Sequence, residues 1–391
     1  MKVPVRPSSH PSPGWRAGFG FLYTLWLPLI SFAATWQPDG GHVYPGESIQ
    51  EALEQAARNP TNKVVRVHAG VYQPDSKRQA LIWFNRLHDG VRLEAVGEVT
   101  LTAANPDLAD PKSSAYPAVV NHVVFFGNGV SSRTVIQGFK LTGANHFLTK
   151  DPPEVDVDAS LPRGLFYYAD GGAVKIFGAA YPTLRDLQIE NNYASPCAGG
   201  VSVEHAGHGG RTSSSAVVME NCIFRNNRAQ ITGAAVDLLP GSSAIISNCL
   251  FVGNIANLGV NYISENKAAP EFTNSAPLTV FPSSRVTVLN CTFTGNRNGA
   301  EDLGQQSIYQ NCLFWKNSLS GAFYEGQRYE LSVGGNAQVA GCFFGGPVLD
   351  PNLEISQTKN KVFAVVDPLF DARFQAKAAE YENIGFRPVG R

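Results

Sequence analysis

Charged residues are scarce in this chain: Asp, Glu, Lys and Arg make up 16% of its 391 residues, against about 25% in average usage. Apolar residues make up 43%, and this balance excludes intrinsic disorder, which requires high charge and few apolar residues. An excess of positive charge is also lacking, since 31 Lys and Arg face 32 Asp and Glu. Binding to nucleic-acid phosphates needs such an excess, so we expect no nucleic-acid partner. What is plentiful is glycine, with 38 residues, which favours turns and short strands over long helices.

An apolar run near the N-terminus has the features of a leader. Residues 19–30 are mostly apolar, three cations and no acid precede them, and Ser31 and Ala33 follow as small residues. This pattern predicts a signal peptide at residues 1–33, and hence a protein that is secreted, periplasmic or on the cell surface. After cleavage we expect no stable membrane insertion. The alternative is an uncleaved anchor, because residues 17–34 are long and apolar enough to span a bilayer.

One short phrase recurs through the middle of the chain. It opens with Asn-Cys, has a Phe two residues after the Cys, and closes with an Asn three residues after the Phe. Its clear copies are residues 221–227, 248–254, 290–296 and 311–317, and weaker copies are residues 138–143, 186–192 and 341–346. Successive Cys residues from Cys222 to Cys342 are 27, 42, 21 and 30 residues apart. We interpret this as a unit of 21 or more residues with loop insertions, the spacing of 42 covering two units.

The phrase predicts a strand that ends in a turn. Cys and Phe, two residues apart, would point to the same side of a strand, and their apolar character makes that side the interior. The closing Asn falls where the strand must turn, and Asn tolerates left-handed backbone there; successive Asn side chains would then form a ladder of amides. A second phrase, rich in Gly and Ala, occupies residues 171–174, 199–202 and 233–236. Two short strands per unit predict an all-β fold, a single-stranded parallel β-helix or solenoid.

The two phrases resemble known families. Phe-x-x-Asn segments interleaved with Gly-Gly-Ala-Val are similar to the repeats of polymorphic outer-membrane proteins, and more broadly to secreted bacterial right-handed β-helix proteins of the pectin-lyase-like superfamily. The resemblance covers residues 45–388 and implies a right-handed helix with an N-terminal capping α-helix. The expected organisation is a β-helix domain at 34–391, with a cap-helix region at 45–62, coils at 63–346 and a closing segment at 347–391. No single function follows, because this scaffold carries lyases, hydrolases, epimerases and adhesins.

The residues themselves also predict the capping helix. Ser48 is a suitable N-cap with Glu51 three residues later. From Ile49 to Ala56, apolar residues recur at the spacing of one helical face. A helix placed over the first coil would protect its strand edges from pairing with other chains; the alternative is an ordinary surface helix.

The six cysteines allow two interpretations. In an exported protein an even number of cysteines suggests disulfides. We favour buried thiols, because the phrase places five of them inside the coils, where Cys serves as a small apolar residue, and because parallel side chains fit a disulfide poorly. Cys197 lies outside this register and is expected to be free. The five are Cys222, Cys249, Cys291, Cys312 and Cys342.

Outward side chains beside the Gly-rich phrases form the candidate catalytic site. Aligning the phrases, with a slip of one residue in the second copy, puts Lys175, Glu204 and Asp237 in one outward column, with His205 next to it. Coils about 4.8 Å apart would let two carboxylates flank a glycosidic bond in retaining or inverting geometry. We therefore hypothesise that Asp237 and Glu204 act as the working pair, with Lys175 and His205 as further catalytic candidates. The alternative is a solvated ladder of ion pairs.

A second group of acids lies in a long insertion. Glu154, Asp156 and Asp158 alternate with valines after Lys150-Asp151. Their hard oxygen ligands suit Ca²⁺, which makes Ca²⁺ the candidate cofactor. The alternative, which we favour, is an acidic loop that binds no metal.

Two functional interpretations remain open. The first is a carbohydrate-active monomer that binds, and in its enzymatic form cleaves, an extracellular polysaccharide or cell-surface glycan as a polysaccharide lyase or glycoside hydrolase. The second is a non-catalytic surface or adhesion protein. The signature motifs of polygalacturonases are absent from the sequence, so whether any bond is broken is left open.

Overall fold

The strands of the chain are arranged in coils that stack through parallel hydrogen bonding. The structure, a computed structural model, describes residues 34–145, 155, 163–205, 215–258, 276–318, 328–334, 337–349, 360–362 and 366–390. Three ladders run along the stack, and we call them faces A, B and C. Faces A and B are two parts of one hydrogen-bonded sheet, whereas face C is a separate sheet of 9 strands.

The bounds of these strands are as follows. Face A consists of Gly40–Val43, Val64–Tyr72, Arg92–Thr102, Val135–Gln137, Thr183–Arg185, Val217–Glu220, Ser243–Ser247, Arg285–Leu289, Ile308–Gln310 and Gln338–Ala340. Face B continues the long strands Val64–Tyr72 and Arg92–Thr102 and then consists of Lys140–Thr142, Gln188–Glu190, Ile223–Arg225, Leu250–Val252, Thr292–Thr294, Leu313–Trp315, Phe343–Phe344 and Lys361–Val362. Face C consists of Arg78–Phe84, Val120–Phe126, Val174–Phe177, Val201–Glu204, Val236–Leu238, Leu278–Val280, Ala300–Asp302, Leu331–Val333 and Val348–Leu349.

A few elements lie outside the three faces. Thr35–Gln37 pairs antiparallel with the first strand of face A, and Tyr193–Ala194 pairs with Arg228–Ala229. Within the described residues the helices are α1 (Ile49–Arg58) and α2 (Leu165–Ala169), with 3₁₀ turns at Arg86–His88 and Ala379–Tyr381. No helix among the described residues is long and apolar enough to cross a lipid bilayer.

This topology confirms the parallel β-helix and corrects two details of the repeat. A typical coil has three strands, one on each face, where the phrases predicted two: the Asn-Cys phrase gives the face B strand, the Gly-rich phrase gives the face C strand, and the face A strand that precedes the Asn-Cys phrase was not predicted. The spacing of 42 residues is one coil with a long insertion, since Ser243–Ser247 pairs directly with Arg285–Leu289. The backbone N–H of Cys249 accordingly donates to Sγ of Cys291 at 3.4 Å.

The interior contains the side chains that the phrase predicted. The six cysteines are free thiols and all are buried, which confirms the thiol interpretation. The Phe rings stack coil on coil, with centroid distances of 4.7 Å between Phe224 and Phe251 and 4.3 Å between Phe251 and Phe293. Phe314 and Phe344 continue the stack. Identical side chains at one register position therefore give a continuous apolar core.

The predicted ladder of amides is present at the end of the face B strands. Each Asn side chain donates to the amide oxygen of the next and to a backbone carbonyl of the preceding coil, as Asn254 does to Asn296 and to Phe224, both at 2.9 Å. The ladder ends at the Glu330 carboxylate, which accepts from Asn317 at 2.5 Å. Its members are Asn192, Asn227, Asn254, Asn296 and Asn317.

Left-handed backbone lies beside the ladder, and our expectation that the ladder Asn itself would adopt it is wrong. The positive φ falls one residue earlier, at Asn226 (54°) and Gly253 (69°), and at the Asn that opens the phrase, such as Asn221 (57°). The turn is made before the ladder position, so the ladder residue returns to ordinary backbone and points its amide inward.

Helix α1 packs on the first coils. The Ser48 hydroxyl accepts from the Glu51 N–H at 3.2 Å, which confirms the N-cap. Ile49, Ala52, Leu53 and Ala56 are buried in the common core, because the helix is amphipathic. That the helix closes the end of the solenoid stays a prediction.

The C-terminal residues return along the outside of the stack. Phe386 and Arg387 donate backbone N–H groups to Thr292 and Asn248, and Gly385 donates to the carbonyl of Asn311. These partners belong to three different coils, so residues 385–387 run across the turns at the edge of face B. Tyr381 is buried beside the outer side of this face, against Leu313, Trp315 and Phe343.

Candidate functional site

The outward residues of face C form a column that is buried. Register pairs place Lys175, Ser202, Asp237, Thr279 and Glu301 side by side on successive strands. Apart from Asp302, their neighbours along the strands are aliphatic residues of the core, so this column points away from the interior. None of the five is more than 3% exposed. Lys175 and Asp237 therefore do lie in one outward column, as the sequence predicted, but other parts of the chain cover it.

Glu204 lies beside this column, and its expected position is corrected by the register. Ser202 pairs with both Lys175 and Asp237, whereas Glu204 pairs with Phe177. To bring Glu204 into the column, we shifted the alignment of the second phrase by one residue toward its C-terminal end. The observed register is shifted by one residue toward the N-terminal end instead, because Val201 takes the inward position of Val174. Glu204 still reaches the column, since Nζ of Lys175 donates to its Oε2 at 2.7 Å and to Oγ of Ser202 at 3.2 Å. This pair explains how the Lys175 ammonium can be buried, because a buried charge requires a partner.

Asp237 is held by its own turn and not by Glu204. Its Oδ2 accepts from the Thr232 hydroxyl at 3.0 Å, while Oδ1 is buried without a hydrogen-bond partner among the described residues. Burial raises the pKa of Asp237 to about 7, against the opposing effects of the Thr232 hydrogen bond, the Lys175 charge and the neighbouring Cys197 thiol. Asp237 and Glu204 share the outward side of the sheet, so the hypothesis of a working pair stays a prediction, but each carboxylate is engaged with a different group.

The turns that enter face C cover the column. Gly171, Ala198 and Gly233 have φ values of 81°, 53° and 56°, which reverse the chain just before each strand. The residue preceding each is thereby placed over the strands: Asp170, Cys197 and Thr232. Sequence reasoning missed Asp170, although its place directly before Gly171 in the Gly-rich phrase marks it as the equivalent of Cys197 and Thr232.

Asp170, Cys197 and Asp237 form one buried cluster. A carboxylate oxygen from each Asp and the Cys197 Sγ lie within 4.8 Å of one another. The Cys197 N–H donates to Oδ1 of Asp170 at 3.0 Å. Burial raises the pKa of Asp170 well above its usual range, with Asp237 and Glu204 adding to the effect and Lys175 opposing it. Burial and the two carboxylates likewise raise the pKa of the Cys197 thiol, so it is not an activated nucleophile.

His205 does not join this cluster. The His205 ring lies 3.0 Å from the Ala180 carbonyl and packs against Tyr181, and its backbone N–H donates to Ser242. These contacts direct the imidazole toward the turn after face C. Glu154, Asp156 and Asp158, the Ca²⁺ candidates, lie outside the described residues.

An open cleft lies on a different side of the molecule, on face A. It has a volume of about 570 Å³ and is lined by Ala216, Ser243, Ala244, Ile245, Arg285, Thr287, Gln306, Ile308 and Gln338. Four of these residues are register partners on successive strands and form one outward row: Ile245, Thr287, Ile308 and Gln338. Sequence reasoning missed this row, because hydroxyl, amide and aliphatic side chains carry no catalytic signature.

Comparison with known proteins bears on the fold. Residues 158–276 match the family model of the right-handed β-helix region, and this range includes the strands of Lys175, Ser202 and Asp237 but ends before those of Thr279 and Glu301. The fold is a right-handed parallel β-helix. No curated protein and no solved structure matches the chain. The relation of this β-helix to polymorphic outer-membrane proteins and to the pectin-lyase-like superfamily stays a prediction.

The β-helix thus carries two polar arrangements with different chemistry. The column of face C is sealed, which suits tight coordination or hydrogen bonding within the protein and denies a polymer access to Lys175 or Asp237. The row on face A borders an open cleft that spans four coils. A general acid or base must come within hydrogen-bond reach of its substrate, so the sealed column does not meet this requirement in the described structure.

Proposed function

We propose that this protein is an exported β-helix that binds an extracellular polysaccharide in the face A cleft without cleaving it. The observation that carries the proposal is the outward row Ile245, Thr287, Ile308 and Gln338, which borders an open cleft of about 570 Å³. Coils spaced about 4.8 Å apart repeat their side chains at nearly the length of one sugar residue. A straight polymer chain laid along the row would meet one side chain per sugar.

The chemistry of the row suits a sugar chain. Polysaccharides present hydroxyl edges and apolar ring faces. Thr287 and Gln338 supply hydroxyl and amide groups for the edges, and Gln306 adds a third polar group at the border. Ile245, 38% exposed, and Ile308 supply aliphatic surface for the rings. Concave sites that combine apolar lining with a few placed polar groups are the usual sites for ligands.

Cleavage is left out of the proposal because of the burial of the column. Lys175 and Asp237 are 0% exposed, and the turns at Asp170, Cys197 and Thr232 stand in front of them. Glycosidases need two accessible carboxyl groups on either side of the bond. The carboxylate of Glu204 is instead paired with Lys175 at 2.7 Å.

The test is a polysaccharide panel in which retention and cleavage are measured on the same samples. Retention is followed by affinity electrophoresis and calorimetry, and cleavage by new reducing ends and by the absorbance of unsaturated uronates, with and without Ca²⁺. The double variant Thr287→Ala/Gln338→Ala removes two hydrogen-bonding groups and should weaken binding by roughly tenfold or more. Gln37→Ala, an exposed glutamine on the edge strand Thr35–Gln37, is the matched control and should bind as the unaltered protein does.

Three outcomes decide the proposal. Retention without products, weakened only by the cleft variant, supports it. Products that disappear with Asp237→Asn or Glu204→Gln would overturn the non-catalytic part and restore the column as an active site. Absence of both retention and products would refute glycan binding and favour the adhesion interpretation.

A further inference from the structure

The buried cluster behind the turns of face C has the composition of a metal site. Asp170, Cys197 and Asp237 come from three successive coils, 27 and 40 residues apart in the sequence. Their ligand atoms lie within 4.8 Å of one another. The face A cleft shares no residue with this cluster, so the argument that follows is independent of polysaccharide binding.

Unpartnered oxygens provide a second observation that points to a ligand. Oδ2 of Asp170 and Oδ1 of Asp237 are buried and have no hydrogen-bond partner among the described residues. Both side chains are 0% exposed. A buried carboxylate without a partner is strongly unfavourable unless it is neutralised or coordinates a metal. Two such oxygens beside one thiol are therefore either protonated or neutralised by a positively charged group between them, and their convergence with the Cys197 Sγ forms a coordination site for such a group.

We propose that Asp170, Cys197 and Asp237 bind one divalent transition-metal ion of the zinc class. A thiolate ligand selects zinc-like ions over Ca²⁺ and Mg²⁺, which need six or more oxygen ligands or several waters. Zinc accepts one sulfur and two oxygens in a tetrahedral site with a fourth position left over. Bond lengths of about 2.0–2.3 Å require ligand atoms roughly 3–4 Å apart, so side-chain shifts on the order of 1 Å complete the site. Binding releases to solvent the thiol proton and any proton held by the two carboxyl groups, because the metal coordinates the thiolate and carboxylate forms.

The groups around the cluster already orient the ligands. The Cys197 N–H donates a hydrogen bond to Oδ1 of Asp170, and the Thr232 hydroxyl donates one to Oδ2 of Asp237. In each carboxylate the second oxygen is therefore available to coordinate the ion. Hydrogen bonds of this kind fix ligand orientation in metal sites. The nearby Lys175 ammonium opposes a cation, but its charge is compensated by Glu204 at 2.7 Å. An ion bound to three coils would act as a cross-link between them.

The test uses the untagged full chain, stripped of metal by chelation and then titrated with Zn²⁺ and with Co²⁺. We expect one ion per chain by elemental analysis, a rise in the temperature of thermal unfolding with Zn²⁺, and a thiolate-to-cobalt charge-transfer band with Co²⁺. Cys197→Ser should abolish the band, and Cys197→Ser and Asp237→Asn should each weaken zinc binding by about 100-fold or more, since even outer-shell changes cost about 10–100-fold.

Matched controls separate this site from other thiols and acids. Cys222→Ser changes a buried thiol of the core, and Asp302→Asn changes a buried carboxylate that binds Tyr309 at 2.9 Å; both should keep the band and the stoichiometry. Lack of stoichiometric binding to the unaltered chain overturns the proposal, and this test does not depend on any variant folding. Binding that survives both Cys197→Ser and Asp237→Asn undiminished also overturns it.

Discussion

The amide ladder makes the most direct prediction about stability. The Asn227 side chain is fully buried and takes part in four hydrogen bonds: it donates to the Ile189 carbonyl at 2.8 Å and to Asn254 at 3.2 Å, and it accepts from the N–H and the side chain of Asn192 at 3.3 and 3.1 Å. Asn227→Ala removes all four and leaves the Asn192 N–H buried without its acceptor. At a net contribution of about 1 kcal/mol for each bond, the free energy of unfolding should fall by about 4 kcal/mol.

The assay is denaturant unfolding followed by far-ultraviolet circular dichroism, with the slope against denaturant unchanged and the midpoint lowered. The adjacent Asn226 is the matched control, because it is exposed and has a φ of 54° that glycine adopts freely. Asn226→Gly should change the free energy of unfolding by less than about 1 kcal/mol. A loss below about 1 kcal/mol for Asn227→Ala, or equal losses for the two variants, would refute the view that the ladder holds the coils together.

Three further predictions concern single residues. Burial lowers the pKa of His88 to about 4 from its ordinary 6.5. As the pH falls, the unfolded chain binds the proton before the folded chain does, so about 3 kcal/mol of stability should be lost between pH 6.5 and 4. The denaturant midpoint of the unaltered chain should therefore fall more in this window than that of His88→Gln, and equal shifts would contradict the prediction. A Cβ at Gly299 would collide with the Glu330 carbonyl, so Gly299→Ala should destabilise by about 1–3 kcal/mol or more, whereas an unchanged melting temperature would show that the turn adapts. Tyr381→Phe removes a hydroxyl that donates to the Val366 carbonyl at 2.6 Å and should cost about 1 kcal/mol in thermal unfolding, with no change expected if the C-terminal segment is loosely attached.

The fold was predictable from the sequence because the solenoid repeats residue identity at matching positions. Cys222 and Phe224 recur in phase with their neighbours in the next coils, so one alternation rule assigns them all to the interior. The spacing of 42 residues was misinterpreted because a long insertion and an extra coil have the same length. Only the pairing of Ser243–Ser247 with Arg285–Leu289 separates these two cases.

The candidate site was predictable only in part. Lys175 and Asp237 do share a column, and Lys175 and Glu204 do meet. The burial of Lys175 and Asp237 was not predictable, because it depends on how far each turn folds back over its strand. That distance is set by the backbone at Gly171 and at Ala198 (φ 53°), and alanine in this conformation carries no signal in a sequence.

The turns, more than the strands, therefore decide where this β-helix can meet a ligand. The outward side chains of every face repeat at the same spacing from coil to coil, so strand register alone does not predict which face forms a binding groove. On face C the reversed turns bring Asp170 and Cys197 over the column and convert it into an interior cluster. On face A the row from Ile245 to Gln338 borders the open cleft. Because the two sites lie on different faces and share no residue, Asp237→Asn should alter metal binding while polysaccharide affinity stays within about twofold, and a variant that lost both would show that the cluster shapes the cleft.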